Sequence, residues 1–501
     1  MDTISHLVLG FEVATSLTNL TYCFLGVLLG TAVGVLPGLG PIATISMLLP
    51  FTYGLEADTA LIMLAGIFYG SQYGGSTTAI LVNLPGEASS IVTTLDGHAM
   101  AKQGRAGQAL AAAAVGSFFA GTVGTLFISL LAPPLAVMAL QFGPAEYFSL
   151  ILLGFVASIV LASGSLLRAI GMILLGLLLG FVGVDVSSGA ARFTFGNINL
   201  LDGVNFVVVA TGVFGIGEVL ASLDNELGRP AAIASVKSKF LTREDWRRIS
   251  WPIVRGTGLG AVLGVLPGAG ALLASFSSYA LEKRISPNAD QFGHGAIEGV
   301  AAPEAANNAS AQTAFIPTLT LGLPGSATMA LMLGALIIQG IQPGPNIISE
   351  QPGLFWGLIV SMWIGNLMLL VLNLPLVGMW ARMITIPYQY LFPVICVFCA
   401  IGAFSLSNNT FDVLAMALFG FLGYVFRKLH LEPAPMLLAL ILGPLMEEYL
   451  RRAMLLSQGD PMVFITSPTS LIILVAAAGL LASVLSSSFR KVREEALVEE
   501  D

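Results

Sequence analysis

Charged residues are scarce in this chain. Of its 501 residues, 10% are Asp, Glu, Lys or Arg and 56% are hydrophobic, whereas an average soluble domain carries about 25% charged residues. Apolar runs near or above the roughly 20 residues needed to cross a bilayer recur from Leu17 to Leu485, with gaps too short for a separate soluble domain. The composition therefore predicts an all-α polytopic membrane protein with about 10 to 12 transmembrane segments.

Residues that bind metals or form redox centres are also few. The four histidines show no metal-ligand spacing, and the three cysteines, Cys23, Cys396 and Cys399, lie in apolar sequence. Although CVFC has the spacing of a redox motif, no βαβ pattern surrounds it, so buried structural cysteines are the better interpretation. The sequence contains no GxSxG, no HExxH and no nucleotide-binding glycine loop. We therefore expect no cofactor, no enzymatic activity and no nucleic acid partner.

Basic residues are concentrated in one polar segment. Seven of the 21 Lys and Arg residues fall between residues 229 and 255, and the positive-inside rule places the connector around them, residues 223–250, in the cytoplasm. The charged tail, residues 489–501, is expected on the same side. The N-terminus has no basic residue and no signal-peptide pattern, so it is expected on the outer side. The connector separates two membrane halves, residues 1–222 and 251–488.

The two halves share an internal repeat. The segment GVLLGTAVGVLPGLG at residues 26–40 aligns without gaps on GTGLGAVLGVLPGAG at residues 256–270, with nine of fifteen positions identical. A second LPG follows in each half, in NLPGEASS at residues 83–90 and in GLPGSATM at residues 322–329. Each half is therefore predicted to contain one helical hairpin, turning at the first LPG, and one helix that is broken at the second.

The charges around these motifs predict opposite orientations for the two halves. In the first half the loop after the first LPG unit, TYGLEAD, has no basic residue, whereas the loop after the second contains Lys102 and Arg105. In the second half the order is reversed, because Lys283 and Arg284 follow the first unit and no Lys or Arg occurs in residues 285–380. The positive-inside rule then gives two inverted repeats.

Proline and glycine inside a membrane helix need a physical explanation. An unpaired backbone N–H or C=O costs several kcal/mol in hydrocarbon, so a broken helix persists only where protein, water or a ligand satisfies its free groups. An LPG turn offers free carbonyls to a cation and a helix N-terminus, with roughly half a positive charge, to a carboxylate. Kinking of packed helices is the alternative explanation, but duplication beside polar residues favours a binding site.

The glycines that precede the first LPG have a simpler explanation. They recur every four residues in both halves, and small residues at this spacing let membrane helices pack closely. We therefore expect packing faces at Gly26, Gly30, Gly34, Gly256, Gly260 and Gly264.

The repeated motifs lack positive side chains. No Lys or Arg occurs in residues 26–53, 59–94, 256–281 or 296–338, so helix ends, hydroxyls and amides would have to hold a carboxylate. Burying a multiply charged anion in this way requires cations to enter with it. The predicted substrate-binding residues are Pro37, Gly38, Gly40, Ser76, Thr77, Thr78, Asn83, Pro85, Gly86, Pro267, Gly268, Gly270, Asn307, Asn308, Ser310, Pro324, Gly325 and Ser326. The residues predicted to lie near sodium sites are Gly38, Asn83, Glu87, Gly268, Glu304 and Gly322.

Glutamates near the predicted site have two interpretations. Glu87 directly follows an LPG, and it either ligates a cation or carries a proton, or else it caps the first turn of its helix. Glu298 and Glu304 in IEGVAAPEAANNAS pose the same choice, and Glu304, beside the polar cluster, is the better functional prediction. The charges within residues 447–452 are instead predicted to form an interfacial ionic cluster.

Long motifs in this chain resemble one transporter family, the large transmembrane subunit of the bacterial tripartite tricarboxylate transporters. The motifs are GVLPGLGPIATISMLLPFTYGL, FYGSQYGGSTTAILVNLPGEASSIVTTLDGHAMAKQGRAGQAL, GVLPGAGALLASF and EGVAAPEAANNASAQTAFIPTLTLGLPGS. The resemblance implies a secondary carrier of the bacterial inner membrane that takes up citrate-like tricarboxylates or related carboxylates, driven by a sodium or proton gradient. The implied partners are a small membrane subunit of about four spans and a periplasmic solute-binding protein.

The mechanism and orientation follow from analogy and charge. By analogy with other hairpin-containing carriers, a mobile substrate domain would move against a static scaffold in an elevator step. The N-terminus would be periplasmic and the C-terminus cytoplasmic. The alternative within transport is a cation/proton antiporter that uses similar broken helices and no organic substrate.

Overall fold

The structure is a computed structural model that describes residues 3–36, 40–162, 165–185, 187–224, 241–266, 270–384 and 388–485. The α-helices are α1 Thr3–Ala14, α2 Leu17–Gly34, α3 Pro41–Leu48, α4 Ala57–Val82, α5 Ile91–Thr93, α6 Ala99–Lys102, α7 Ala106–Ala139, α8 Pro144–Leu161, α9 Leu166–Gly180, α10 Phe206–Ala210, α11 Gly217–Asp224, α12 Arg243–Val265, α13 Gly270–Ile285, α14 Glu298–Thr313, α15 Phe315–Leu321, α16 Ala327–Ile338, α17 Ile347–Glu350, α18 Pro352–Asn373, α19 Val377–Met383, α20 Tyr388–Ser407, α21 Thr410–Lys428, α22 Ala434–Leu456, α23 Val463–Thr466 and α24 Pro468–Leu485. The strands β1 Gly183–Val184 and β2 Ala191–Arg192 pair antiparallel. Turns of π-helix, Thr94–His98 and Thr211–Ile216, join α5 to α6 and α10 to α11.

Long apolar helices dominate the part of the chain that the structure describes. Five of them have at least 18 residues and enough hydrophobicity to cross a membrane: Leu17–Gly34, Ala106–Ala139, Phe206–Leu223, Pro352–Asn373 and Thr410–Lys428. Shorter apolar helices of 10–17 residues accompany them, including α9, α16 and α20. This architecture confirms the prediction of an all-α polytopic membrane protein.

Each half contains the predicted pair of units. Helices α2 and α3 form one hairpin beside α4, and α12 and α13 form the other beside α14. At the second LPG, α4 and α15 end at residues in the left-handed conformation, Asn83 with φ 60° and Gly322 with φ 68°. Four residues further on, Glu87 and Ser326 are both extended, with φ −151° and −156°, and precede the next helical segment. The two breaks therefore have the same backbone geometry.

The repeated glycines bring the hairpins against the broken helices. A Cβ added at Gly30 would lie 2.3 Å from the carbonyl oxygen of Ile67 in α4, and one added at Gly260 would lie 2.1 Å from that of Ala306 in α14. Gly26 and Gly256 make equivalent approaches. These contacts confirm the predicted packing faces, and they bury nearly all of α4 and the whole of α14 at the centre of the protein.

Two loops predicted to be cytoplasmic lie together. Gln103 donates a hydrogen bond to the carbonyl of His294 (2.8 Å), and Arg105 donates one to the carbonyl of Gly295 (2.6 Å). At another point, Gln339 donates to the carbonyl of Thr52 (3.0 Å) and so joins two loops that lack basic residues. The loop after the second hairpin therefore lies beside a loop that contains basic residues, and the loop after the first hairpin lies beside one that contains none. Inverted repeats predict this arrangement.

The charges within residues 447–452 form an ionic cluster, as the sequence predicts. Arg451 contacts Glu447 one turn away (2.5 Å) and Asp185 beside β1 (3.0 Å), and Arg192 of β2 contacts Glu447 (2.9 Å). The cluster therefore fixes the β1–β2 loop to the C-terminal part of α22.

Candidate functional site

A cavity of 960 Å³ lies where the two repeats meet. Four helical segments begin at its wall, namely α3, the segment that starts at Ala88, α13 and α16. The lining residues at these helix starts are Gly40, Pro41, Pro85, Gly86, Glu87, Ala88, Gly270, Ala271, Pro324, Gly325, Ser326 and Ala327. Two of these helix starts come from each half of the chain.

Helix starts give this cavity a positive electrostatic character. The first N–H groups of a helix have no partner within it, and the aligned peptide dipoles place roughly half an elementary charge there. Gly40 precedes α3 without any side-chain cap, which leaves those N–H groups open to a ligand. At α16 the Ser326 hydroxyl accepts a hydrogen bond from the N–H of Met329 (3.2 Å), so this start is partly capped. The wall can therefore bind carboxylate oxygens through main-chain donors.

Glu87 lies at the cavity wall and bonds to neutral groups. Its Oε1 accepts hydrogen bonds from the hydroxyl of Ser89 (2.6 Å) and the amide of Asn307 (3.1 Å). It is also the residue that precedes the helical turn at Ala88. Both of its predicted roles, as a cap and as a cation or proton ligand, are compatible with this position.

Glu304 is fully buried in a polar layer between α4, α5 and α14. One of its oxygens accepts from Ser76 (2.6 Å) and the other from Thr93 (2.5 Å). Within the described residues, neither this carboxylate nor that of Glu87 forms an ion pair with a basic side chain. Two carboxylates therefore lie near the cavity with only neutral donors around them.

Helix α14 carries buried oxygens that have no hydrogen-bond partner among the described residues. They are Oδ1 of Asn307, Oγ of Ser310 and Oε1 of Gln312. Ser310 lines the cavity. Asn307 donates a hydrogen bond to Glu87, which also lines the cavity. An unpaired buried polar atom costs about 1–3 kcal/mol, so oxygens in this position are suited to contact a ligand or an ion.

The predicted substrate-binding residues divide into three groups. Those that line the cavity are Gly40, Pro85, Gly86, Gly270, Ser310, Pro324, Gly325 and Ser326. Those that lie away from its lining are Ser76, Thr77, Thr78, Asn83, Asn307 and Asn308. Those outside the described residues are Pro37, Gly38, Pro267 and Gly268.

Local hydrogen bonding explains why the second group lies off the cavity. The hydroxyl of Thr77 donates to the carbonyl of Tyr73 in its own helix (3.2 Å), and that of Thr78 donates to the carbonyl of Val35 at the end of α2 (3.0 Å). Asn308 donates to Ser117 (2.7 Å). Asn83 is exposed at the end of α4. In this conformation these groups do not face the space in which a substrate would lie. Of the residues predicted near sodium sites, Gly322 also lies off the lining, beside Pro343.

Three charged residues on the cavity wall were not predicted from the repeats. Arg427 in the last turn of α21, Glu218 in α11 and Glu432 before α22 all line the cavity. Arg427 forms an ion pair with Glu218. These residues lie outside the repeated motifs, so a search restricted to the repeats misses them.

Asp96 is a further buried carboxylate that the sequence did not single out. Its Oδ1 accepts the backbone N–H groups of Gly293 (2.9 Å), Gly295 (2.8 Å) and Ala296 (2.8 Å), and its Oδ2 accepts the hydroxyl of Tyr279 (2.9 Å). It thus joins the segment after the first broken helix to the loop after the second hairpin.

Comparisons with known proteins identify one matching family and two similar chains. The family described as the Tripartite tricarboxylate transporter TctA family matches residues 20–438. The chain is 58% identical over 501 residues, with both chains fully covered, to an uncharacterised 52.8 kDa protein in the TAR-I ttuC' 3' region of Agrobacterium vitis. It is 56% identical over 242 residues, which is 48% of this chain and all of the relative, to an uncharacterised protein in the TAR-II ttuC' 3' region of the same organism. No solved structure matches the chain.

Proposed function

Because this chain belongs to the tripartite tricarboxylate transporter TctA family, we propose that its cavity binds a carboxylate and that the protein carries it across the membrane together with cations. Family membership and the apolar helices make the chain a multi-pass membrane component of a transporter. The observation that carries the proposal is the meeting of four helix starts, two from each repeat, at one cavity.

The cargo that suits this cavity is a small acid with more than one carboxylate. Ligand cavities are typically about 300–1,000 Å³, so 960 Å³ accommodates a tricarboxylate such as citrate with its ions and water. Helix starts on opposite walls can each hold one carboxylate group. Related di- and tricarboxylates and aromatic acids fit the same chemistry.

The charges around the site support cation coupling. Glu87, Glu218 and Glu432 line the cavity with one arginine, so an incoming anion meets more negative than positive side chains. Uptake against an inside-negative potential costs about 2.3 kcal/mol per charge per 100 mV, or about 7 kcal/mol for a trianion. Sodium ions or protons that enter with the acid offset this cost.

The carboxylate of Glu87 and the free oxygens of Asn307 and Ser310 are hard ligands of the kind that sodium prefers, and Glu304 is a second site for a cation or proton.

The proposed setting is the bacterial inner membrane. A periplasmic solute-binding protein delivers the acid, and a small membrane subunit completes the carrier; the description of the family as tripartite supports both partners. The N-terminus is periplasmic and the C-terminus cytoplasmic, in line with the positive-inside rule. The hairpins and broken helices move as a substrate domain against the remaining helices in an elevator step.

A cation/proton antiporter is the second candidate function. The observation that favours it is that Glu87 and Glu304 have no basic partner among the described residues, since carboxylates of this kind exchange protons and sodium ions in antiporters. Such a protein would exchange cations with no organic acid and no binding protein present.

The test is uptake of labelled citrate, succinate, L-tartrate and benzoate into vesicles that contain the full chain with its two partners. Sodium and proton gradients are imposed separately. We expect uptake of at least one acid only under an inward cation gradient, and loss of that uptake in Gly86→Val and Gly325→Val. Glu304→Gln should keep binding of the acid but lose its dependence on the gradient. Gly258→Val is the matched control, because a side chain there meets nothing within 4 Å.

Two results would contradict the proposal. Normal uptake by both Gly86→Val and Gly325→Val would reject the helix breaks as the site. Cation exchange without any carboxylate, measured with a pH-sensitive dye in the same vesicles, would favour the antiporter.

A further inference from the structure

Arg427 is the one basic side chain among the described residues that line the cavity. It lies in the last turn of α21, far from the repeated motifs, and its side chain is 55% exposed. The other charged residues of the lining are the glutamates at positions 87, 218 and 432. Apart from the helix starts, the positive charge that an anion meets in this cavity is therefore concentrated in a single guanidinium group.

Only one nitrogen of the Arg427 guanidinium is hydrogen-bonded to a described residue. Its Nη1 donates to Oε1 of Glu218, and its Nε and Nη2 make no hydrogen bond with any described residue. A guanidinium presents five N–H donors in a rigid fork that matches a carboxylate in bidentate geometry. The edge formed by Nε and Nη2 is therefore available for a second carboxylate.

Close packing holds this ion pair at the wall. A Cβ added at Gly217, next to Glu218, would lie 3.1 Å from the Cα of Gly423, one turn before Arg427. Helices α11 and α21 thus touch through their backbones beside the pair. The backbone that carries Arg427 is therefore held at the cavity wall, and the ion pair with Glu218 orients its guanidinium there.

We propose that Arg427 binds one carboxylate group of the transported acid and that Glu218 is an internal competitor that holds Arg427 while the cavity is empty. This inference rests on the proposed function and identifies the class of substrate. An acid with two or more carboxylates places one on Arg427 and another on the helix starts. A monocarboxylate satisfies only one of these positions and binds more weakly.

The competition gives the two residues of the pair opposite effects. Removing the guanidinium removes a bidentate partner of the acid, whereas removing the charge of Glu218 frees Arg427 and also reduces repulsion of the acid. An ion pair with a purely structural role behaves differently, because losing either partner then harms the protein in the same direction. The sign of the effect at Glu218 therefore separates the two roles.

The experiment measures binding of citrate and succinate, with acetate as a monocarboxylate probe, to the purified full-length chain in detergent by isothermal calorimetry. KM for uptake is measured in the three-component vesicles. We expect Arg427→Gln to weaken binding of the polycarboxylates roughly tenfold or more, Arg427→Lys to have an intermediate effect, and Glu218→Gln to strengthen it. The matched controls are Arg452→Gln and Glu448→Gln, which break an ion pair of α22 that does not line the cavity, and they should leave binding unchanged.

The outcomes are distinguishable. If the natural protein binds a polycarboxylate and Arg427→Gln binds it equally well, this inference is wrong and the proposed function stands. Weaker binding by Glu218→Gln and Arg427→Gln alike would make the pair structural and also reject the inference. If the natural protein binds none of the acids and transports none of them, the proposed function and this inference both fail.

Discussion

At the scale of single residues, the buried carboxylates differ in the kind of donor that surrounds them. Asp96 is held by three backbone N–H groups, which can only donate, together with the hydroxyl of Tyr279. Glu304 is held by the hydroxyls of Ser76 and Thr93, which can rotate and accept as well as donate. The backbone donors therefore suit Asp96 to a structural role, whereas the hydroxyls around Glu304 are compatible with the proton or cation site proposed there.

The first prediction concerns the structural role of Asp96. Asp96→Ala leaves three N–H groups without this acceptor, two of them at the buried residues Gly295 and Ala296, and hydrogen bonds to a charged group contribute about 1.5–3 kcal/mol each. We expect this variant to lower the free energy of unfolding by about 3 kcal/mol or more, seen as a lower melting temperature of the detergent-solubilised protein. Asp96→Asn keeps one acceptor oxygen and should lose clearly less. Equal melting temperatures for Asp96→Ala and the natural protein would contradict the assignment.

The second prediction concerns the acid stability of the β1–β2 loop. The N–H of Ser187, the hydroxyl of Ser188 and the guanidinium of Arg451 lower the pKa of Asp185 from 3.8 to about 2. A carboxyl group whose pKa is lowered by folding stabilises the protein above its ordinary pKa, and this contribution is lost as the pH falls from about 4 towards 2. The melting temperature should therefore exceed that of Asp185→Asn at about pH 5 and approach it at about pH 2.5. A difference that does not change with pH would argue against this coupling.

At the scale of elements, the two hairpins depend on glycine for their contact with the broken helices. A Cβ at Gly26 or Gly30 of α2, or at Gly256 or Gly260 of α12, would lie 2.1–2.3 Å from a backbone carbonyl oxygen of the neighbouring helix. Glycines on the outer face of α12 have no such constraint, since a Cβ at Gly258 meets nothing within 4 Å.

The third prediction compares two glycines of the same helix. A Cβ at Gly260 would lie 2.1 Å from the carbonyl oxygen of Ala306, and overpacking of this kind costs about 1–3 kcal/mol. Gly260→Ala should therefore lower the melting temperature, whereas Gly258→Ala should leave it unchanged or raise it, because alanine favours a helix by about 1 kcal/mol. Equal melting temperatures for the two variants would contradict the close approach of α12 and α14.

The helices and their breaks could be predicted from the sequence more completely than the residues that make up the site. Repeated LPG motifs located both hairpins and both breaks, because proline and glycine act locally and their duplication marks a structural unit. The pairing of Arg427 with Glu218 could not be predicted, since the two residues are 209 positions apart and neither lies in a repeat. The polar residues of α4 are visible in the sequence, but their orientation depends on tertiary packing, which brings the hydroxyl of Thr78 against the carbonyl of Val35 and away from the cavity lining.

At the scale of the whole molecule, both halves of the chain contribute helix starts to the cavity. The first repeat contributes the starts of α3 and of the segment at Ala88, and the second contributes the starts of α13 and α16. Because the halves are inverted, helix starts that enter from opposite sides meet at one place.

The measurement that tests this account most directly is protection of the cavity by its substrate. In a variant without the cysteines at positions 23, 396 and 399, single cysteines are placed at Ala88 in the first repeat, at Ala271 in the second and, as a control, at the exposed Ala190. Their rates of reaction with a small thiol reagent are compared with and without a saturating concentration of the transported acid. The account predicts that the acid slows the reaction at Ala88→Cys and Ala271→Cys and leaves Ala190→Cys unaffected. Unchanged rates at both cavity positions would contradict it.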